Sequence, residues 1–420
     1  MSFGGSAPRA ARKHCRSHGR PLLLLALALV WGAHAGHADG IPDADYAAEL
    51  ATRPAAAVVG APADPHPNET PPRVEAPDPA ARLPKGGSAV EYWDLTSEFD
   101  SGHHLFVRFA ITNEGPGDQL GFATGELIDP EGESTHFRNG RQKSRWTLSR
   151  DRLRLDIGKS HLDLHGPRYR LEVTKSYVKI DISFAPRAGM VIPAGVAPEG
   201  YGLDLLALAS PTEGTIWLEG MSNGLKLQGR TAAVHTVVRN SETKLVQRRI
   251  ELFSQRSLRQ SSQQSPRETG TALYVVDFTA PSGKRSRWLR ALDETRGPGQ
   301  DDRLISETRF DIDLGGDLFP PGKNGRKRRH EDYWIPGHLG LRGDAVMGKA
   351  TLTEALVERD PLSDLPQPLR FLAGRKSSPR RVWSMAKITV TLKPGSGPLP
   401  LQFQNRGVAA INFTNALTRR

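Results

Sequence analysis

The chain has 420 residues, enough for two or three domains, and at 37% hydrophobic and 25% charged it has the composition of an ordinary soluble protein with material for real cores. Its formal charge of +11 includes five basic residues ahead of position 21. Without them it is +6, which aids solubility and, with no concentrated patch, is not a nucleic-acid footprint.

Those five residues, Arg9, Arg12, Lys13, Arg16 and Arg20, precede an apolar run from Leu22 to Trp31 and the small-residue site Ala33-His34-Ala35. This is the layout of a secretory signal peptide over residues 1–35, and the run is too short to span a bilayer. The expected location is therefore periplasmic or secreted. The single cysteine, Cys15, lies upstream of the run, so the mature protein would have no disulfide, thiolate nucleophile or cysteine-ligated zinc. Residues 36–88 are rich in Ala, Pro and Asp and carry no helical or strand period, so they read as a disordered linker.

From Ala89 onward strands dominate. Leu105, Val107, Phe109 and Ile111 make an apolar face, Asn113-Glu114-Gly115-Pro116-Gly117-Asp118 is a turn, and Gly121 to Ile128 resumes the strand. Further strands are predicted at Leu153–Ile157, Tyr169–Val173, Val178–Phe184, Leu203–Ala209 and Thr215–Glu219. A second unit is read from 228, with strands at Thr231–Arg239, Leu245–Phe253, Ala272–Thr279, Arg287–Ala291, Leu304–Ile312, Ala350–Val357 and Val382–Leu392. Strands at this spacing, without long helical patterns, give an all-β chain: two consecutive antiparallel β-barrel or sandwich domains over 89–227 and 228–395. Residues 396–420 are left as a C-terminal tail.

No GxGxxG, Walker A, HExxH or CxxC pattern occurs, which argues against nucleotide binding and the HExxH metallohydrolases. His235 shares a strand face with Ala233 and Val237. It is either an acid lining a cavity or a hydrogen-bonded core histidine. Arg249, Glu251 and Phe253 alternate with Ile250 and Leu252, and the charged pair is expected on a solvated face, with a polar patch beside His235 as the other reading. His161, Asp163 and His165 share a strand face that could ligate a metal, but a water-facing trio is the simpler reading, and no metal or cofactor is expected. The basic run Lys323 to His330 reads as a surface loop able to touch a membrane surface. Trp93, Trp217 and Trp334 are core or cavity-wall aromatics.

Glu91-Tyr92-Trp93, Gly229-Arg230-Thr231-Ala232-Ala233-Val234-His235 and Val276-Asp277-Phe278-Thr279-Ala280-Pro281 resemble segments of the lipocalin-like superfamily of carotenoid 1,2-hydratases, AttH-type proteins and survival-factor proteins. The first resembles the Glu-Trp-Trp opening of that superfamily's first domain, with Tyr92 departing from it. The second resembles its second-domain opening. The resemblance spans roughly residues 89–395 and implies two lipocalin-like (calycin-like) domains. With it, the expected function is binding of a hydrophobic small molecule, a lipid or isoprenoid, with Trp93, Trp217, Arg249 and Trp334 as contacts. The alternative is a cofactor-free hydratase, isomerase or cyclase with His235 as acid and Glu251 as partner. Nucleic acid is not an expected partner; a membrane surface, touched peripherally, is.

Overall fold

The computed structural model describes residues 76–113, 119–257, 271–293, 303–318, 333–364, 379–393 and 401–414. The signal-like segment, the linker up to 75 and the basic run Lys323–His330 lie outside the described residues.

The first group of strands is β1 (Val90–Phe99), β2 (His104–Thr112), β3 (Leu120–Ile128), β4 (Ser134–Arg141), β5 (Trp146–Leu148) and β6 (Arg154–Ile157). It continues with β7 (Ser160–Asp163), β8 (Tyr169–Thr174), β9 (Val178–Phe184), β10 (Met190–Val191), β11 (Tyr201–Leu218) and β12 (Leu225–Val238). They form one antiparallel sheet in the order β4-β3-β2-β1-β12-β11-β9-β8-β7-β6-β5, with β10 against β11. The second group is β13 (Arg248–Ser257), β14 (Thr271–Thr279), β15 (Arg285–Asp293), β16 (Arg303–Glu307) and β17 (Asp311–Gly315). After it come β18 (His338–Arg342), β19 (Val346–Arg359), β20 (Arg380–Leu392) and β21 (Leu401–Phe413), giving a sheet ordered β16-β15-β14-β13-β21-β20-β19-β18-β17.

Period-2 alternation decides which way each strand faces. In β9, Val178, Ile180, Ile182 and Phe184 are buried, while Lys179, Asp181 and Ser183 between them are not. Each sheet then curls around its apolar face. β16 and β17 sit at opposite ends of the second sheet yet are joined only by residues 308–310. Four Cα steps span at most about 15 Å, so the two edges must come round toward each other. Arg285 on β15 closes the gap by donating to the Ile312 carbonyl at 2.7 Å. In the first sheet the Trp146 indole donates to the Gln119 carbonyl at 2.7 Å, and the Asn139 amide donates to Ser160 at 2.5 Å, linking the two ends.

Three apolar clusters result. One fills the first sheet and includes Trp93, Leu95, Phe109, Ile180 and Ile216. Another fills the second and includes Ile250, Leu252, Leu341, Ile388 and Ile411. The third lies between the sheets, with Tyr92, Phe106, Leu205, Phe253, Tyr274, Trp288 and Trp383. The inter-sheet cluster is where strands with two buried faces give their second face.

Several sequence expectations need correction. β12, read as the opening of the second unit, is instead a central strand of the first sheet, paired with β1 and β11, so that sheet runs to Val238. Gly229 shows why: a Cβ there would strike the Glu98 carbonyl and lie 2.7 Å from the Phe99 Cα, so the two backbones meet closely only at glycine. The supposed tail contains β21, which pairs β13 with β20 at the middle of the second sheet. Residues 76–88 are not a free linker. Ala81 is buried in the first core, and the Arg82 and Leu83 amides donate to the Glu91 carboxylate at 2.8 and 2.7 Å. The run Leu304–Ile312 is two strands on opposite sheet edges.

Candidate functional site

β1 and its partner β12 stand between two chemically different groups. Successive side chains of a strand point to opposite faces. Glu91, Trp93 and Leu95 therefore face the interior of the first sheet, while Tyr92, Asp94 and Thr96 face the second sheet.

The interior group centres on His235, directly opposite Trp93 in the ladder. Its ring stacks on the Trp93 indole at 4.7 Å and 7°, and its Nε2 lies 2.8 Å from the Glu91 carboxylate. Nδ1 faces the Asp78 carbonyl at 3.3 Å, and the Trp93 indole donates to the Pro79 carbonyl at 3.2 Å. Arg82 pairs with Asp204, the β11 residue beside His235, at 2.5 Å. Residues 78–83 thus cover the His235–Trp93 pair and supply the carbonyl that faces His235 Nδ1. His235 and Glu91 have no exposed side-chain surface.

The junction group centres on Arg249. Its Nη1 donates to the Tyr201 hydroxyl at 2.7 Å and the Tyr92 hydroxyl at 3.0 Å, and both hydroxyls lie within 3.0 Å of Glu242 Oε1. Its Nη2 pairs with Asp94 at 3.1 Å, and its Nε lies 2.9 Å from Glu251. Arg108 grips Asp94 with two bonds of 2.5 Å, and its guanidinium carbon sits over the Tyr92 ring, 3.8 Å from its centre. Tyr274 donates to Glu251 at 2.8 Å. Phe106 stacked on Trp383 at 5.0 Å, with Phe253 and Trp288 against Tyr274, makes the apolar surround. A satellite group couples Glu126 to His136 at 2.8 Å and to Arg359 of the second sheet.

Burial and pairing pull these groups in different directions. Burial lifts the Glu251 carboxyl above the ordinary range, and the neighbouring Arg249 offsets this only in part. For Asp94 the Arg108 guanidinium more than cancels the effect of burial and holds the carboxyl down to about 2. Burial also raises Tyr92, Tyr201 and Tyr274, so all three keep their protons. Arg381 is brought down to about 10 by burial and by repulsion from Arg108. The junction therefore holds a fixed carboxylate, fixed guanidinium groups and a set of proton-bearing donors within an apolar wall. Burial pushes the Glu251 carboxyl toward its protonated form.

The residues singled out from sequence separate accordingly. Arg249 and Glu251 come together, but at the junction and not on a solvated face: they are 2% exposed, because both faces of β13 are covered. Glu251 is not beside His235. Thr236 on β12 meets Arg249 at 3.3 Å, so the adjacent His235 points the other way, into the first sheet. Trp93 joins His235. Trp217 is half-buried on the outer face of the first sheet under the Lys179 ammonium at 4.6 Å, and half-buried Trp334 donates to the Gly316 carbonyl at 3.1 Å. Neither reaches the junction cluster. His161 pairs with Asp156 at 2.6 Å, while His165 bridges Asp151 and Asp163 at 2.6 Å each, on partly exposed surface. Tyr92, Asp94, Arg108, Tyr201, Glu242 and Tyr274 were not anticipated. Their signal, polar residues alternating with apolar ones on a strand, is the same as that of a solvated face.

No family model matches the chain, and no curated protein sequence matches it. Solved structures do. A protein assigned as AttH from Nitrosomonas europaea matches with a TM-score of 0.53 at 12% identity, over 81% of this chain and 98% of that one. The chain has a lipocalin-like fold. CghA bound to Sch210972 matches with a TM-score of 0.50 at 10% identity, covering 81% of this chain and 96% of CghA. Kievitone hydratase from Nectria haematococca matches at 0.46 and 12%, over 80% and 94%.

Proposed function

We propose that the protein binds a hydrophobic small molecule, such as a lipid or isoprenoid, at the junction between its two sheets. The observation that carries this reading is the convergence of Arg249, Glu251 and the hydroxyls of Tyr92, Tyr201 and Tyr274 inside an otherwise apolar cluster. Small-molecule sites have this make-up: mostly apolar and aromatic walls with a few converging polar groups that fix orientation. Packing alone does not call for it, since buried ion pairs are often replaceable by apolar side chains at no loss of stability. CghA, of similar fold, holds Sch210972, which supports a ligand on this architecture. In this reading the protein is exported to the periplasm or beyond, as the signal-like pattern of residues 1–35 suggests, with a membrane surface as peripheral partner.

A second reading is favoured by Glu251. A buried carboxyl whose hold on its proton is strengthened by desolvation is suited to protonate an alkene or carbonyl, as cofactor-free hydration, isomerisation or cyclisation requires.

Native mass spectrometry of the protein purified from its own source tests the first reading. A bound apolar compound is expected, lost on Arg249→Met. If no compound is found and no apolar probe binds, the reading fails. Incubating the recovered compound with wild type and with Glu251→Gln separates carrier from catalyst, since a catalyst yields a hydrated or isomeric product that Glu251→Gln does not.

A further inference from the structure

Arg290 on β15 is 2% exposed and lies outside the Arg249 network. Trp288 and Leu292, two residues to either side, belong to the inter-sheet cluster, so Arg290 points to the same side. Across the ladder it faces Tyr274 on β14, which in turn faces Phe253 on β13. On its other side it faces Ser306 on β16, an exposed residue whose hydroxyl takes the Trp288 indole proton at 2.6 Å. The row Phe253, Tyr274, Arg290, Ser306 thus runs from the aromatic centre of the junction to solvent at the sheet edge.

Nε and Nη2 of Arg290 are buried and have no hydrogen-bond partner, and among the described residues no acid pairs with it. A buried guanidinium without a counter-charge is costly, so fully paired arginines are the rule in interiors. Nε–H and Nη2–H lie along one edge of the planar group. That edge is a two-pronged fork matching the spacing of carboxylate oxygens. Burial alone accounts for the lowered proton affinity of Arg290, as expected where no acid stands near.

We infer that Arg290 is the anchor for the carboxylate of an amphiphilic ligand, whose apolar body lies along Tyr274 and Phe253 toward the Arg249 group. The inference rests on the proposed ligand-binding reading of the junction and adds a chemical class to it: a lipidic or isoprenoid acid, with its head toward the sheet edge and its chain inward. The carboxylate accepts from Nε and Nη2, giving two charge-assisted bonds and neutralising the buried cation.

The test compares oleate with oleyl alcohol at pH 8, titrated into the full-length protein and followed by tryptophan fluorescence and calorimetry. Wild type is expected to prefer oleate by about ten- to a hundredfold, the worth of a buried hydrogen-bonded charge. Arg290→Met is expected to bind both probes equally, at the affinity wild type shows for the alcohol, and its ligand-free Tm is expected to hold or rise because an unpaired buried charge is gone. Equal binding of both probes by wild type, or an oleate preference that survives in Arg290→Met, overturns the anchor and leaves the junction reading standing. Binding of neither probe by wild type overturns both. Should Arg290→Met not fold, Arg290→Gln carries the same comparison with the same expected outcomes.

Discussion

Replacing Arg249 with methionine keeps most of the side-chain stem and removes the guanidinium from the centre of the junction. Asp94 retains the paired grip of Arg108, and the Tyr92 and Tyr201 hydroxyls retain Glu242. Glu251 loses its counter-charge at 2.9 Å while 2% exposed, and keeps only the Tyr274 hydroxyl. Stripping one partner from a buried ion pair costs about 3–5 kcal/mol. At roughly 2 °C per kcal/mol for a large domain, Tm is expected to fall by about 8 °C. The loss depends on pH in a defined sense. The folded-state pKa of Glu251 already lies above its ordinary value and rises further without Arg249. Its contribution to stability is then complete below the ordinary carboxyl pKa and is lost as pH rises through the folded-state value. Arg249→Met is therefore expected to be nearest to wild type in acid and furthest from it above neutrality. Arg249→Met with Glu251→Gln removes both charges and is expected to recover more than half of the loss. Urea unfolding followed by circular dichroism at pH 5 and pH 8 measures all three. A single-variant loss under about 1 kcal/mol, or a double variant no more stable than the single, refutes the view of a desolvated pair.

Three further outcomes follow from the geometry. Gly229→Ala is expected to cost about 3 kcal/mol or more, because the new methyl meets the backbone of β1; a variant with unchanged urea midpoint contradicts the close approach. Because the Asp94 carboxyl is held at about 2 and its ordinary value is 3.8, it contributes about 2 kcal/mol that is present above the ordinary value and lost as pH falls to 2. Asp94→Asn should lack that acid-dependent loss, and parallel acid slopes in the two proteins would count against it. His165 is held above the ordinary 6.5 by Asp163 and then Asp151, so its ring proton is expected to titrate above that value by NMR and to move down in Asp163→Asn.

The fold was legible because the residues that curl the sheets are apolar at every second position. The run in β9 and the faces of β2 and β13 are of that kind, and short polar turns join them. The site was only partly legible. Arg249 and Glu251 could be picked out, and so could His235, but separating His235, which pairs with Glu91, from Glu251, which pairs with Arg249, required knowing which face of β12 meets which face of β13. Polar alternation on a strand marks a solvated side when one face is buried and a ligand or interface side when both are, and the local pattern is the same in each case. For that reason the local pattern does not single out Tyr92, Asp94 and Arg108, and only the second sheet packing on them gives them a place in the site.

The sequence by itself determined the all-β character, the strand alternation and the presence of two sheets, because these follow from interactions between near neighbours along the chain. The tertiary structure alone decided that β12 and β21 are central strands, that residues 76–88 cover His235, and that Arg249, Glu251 and Arg290 are buried. The central pairings of β12 and β21, the cover over His235 and the burial of Arg249 join segments more than a hundred residues apart, such as Arg249 with Asp94 or Glu91 with His235, and no local pattern encodes which distant strand supplies the second face.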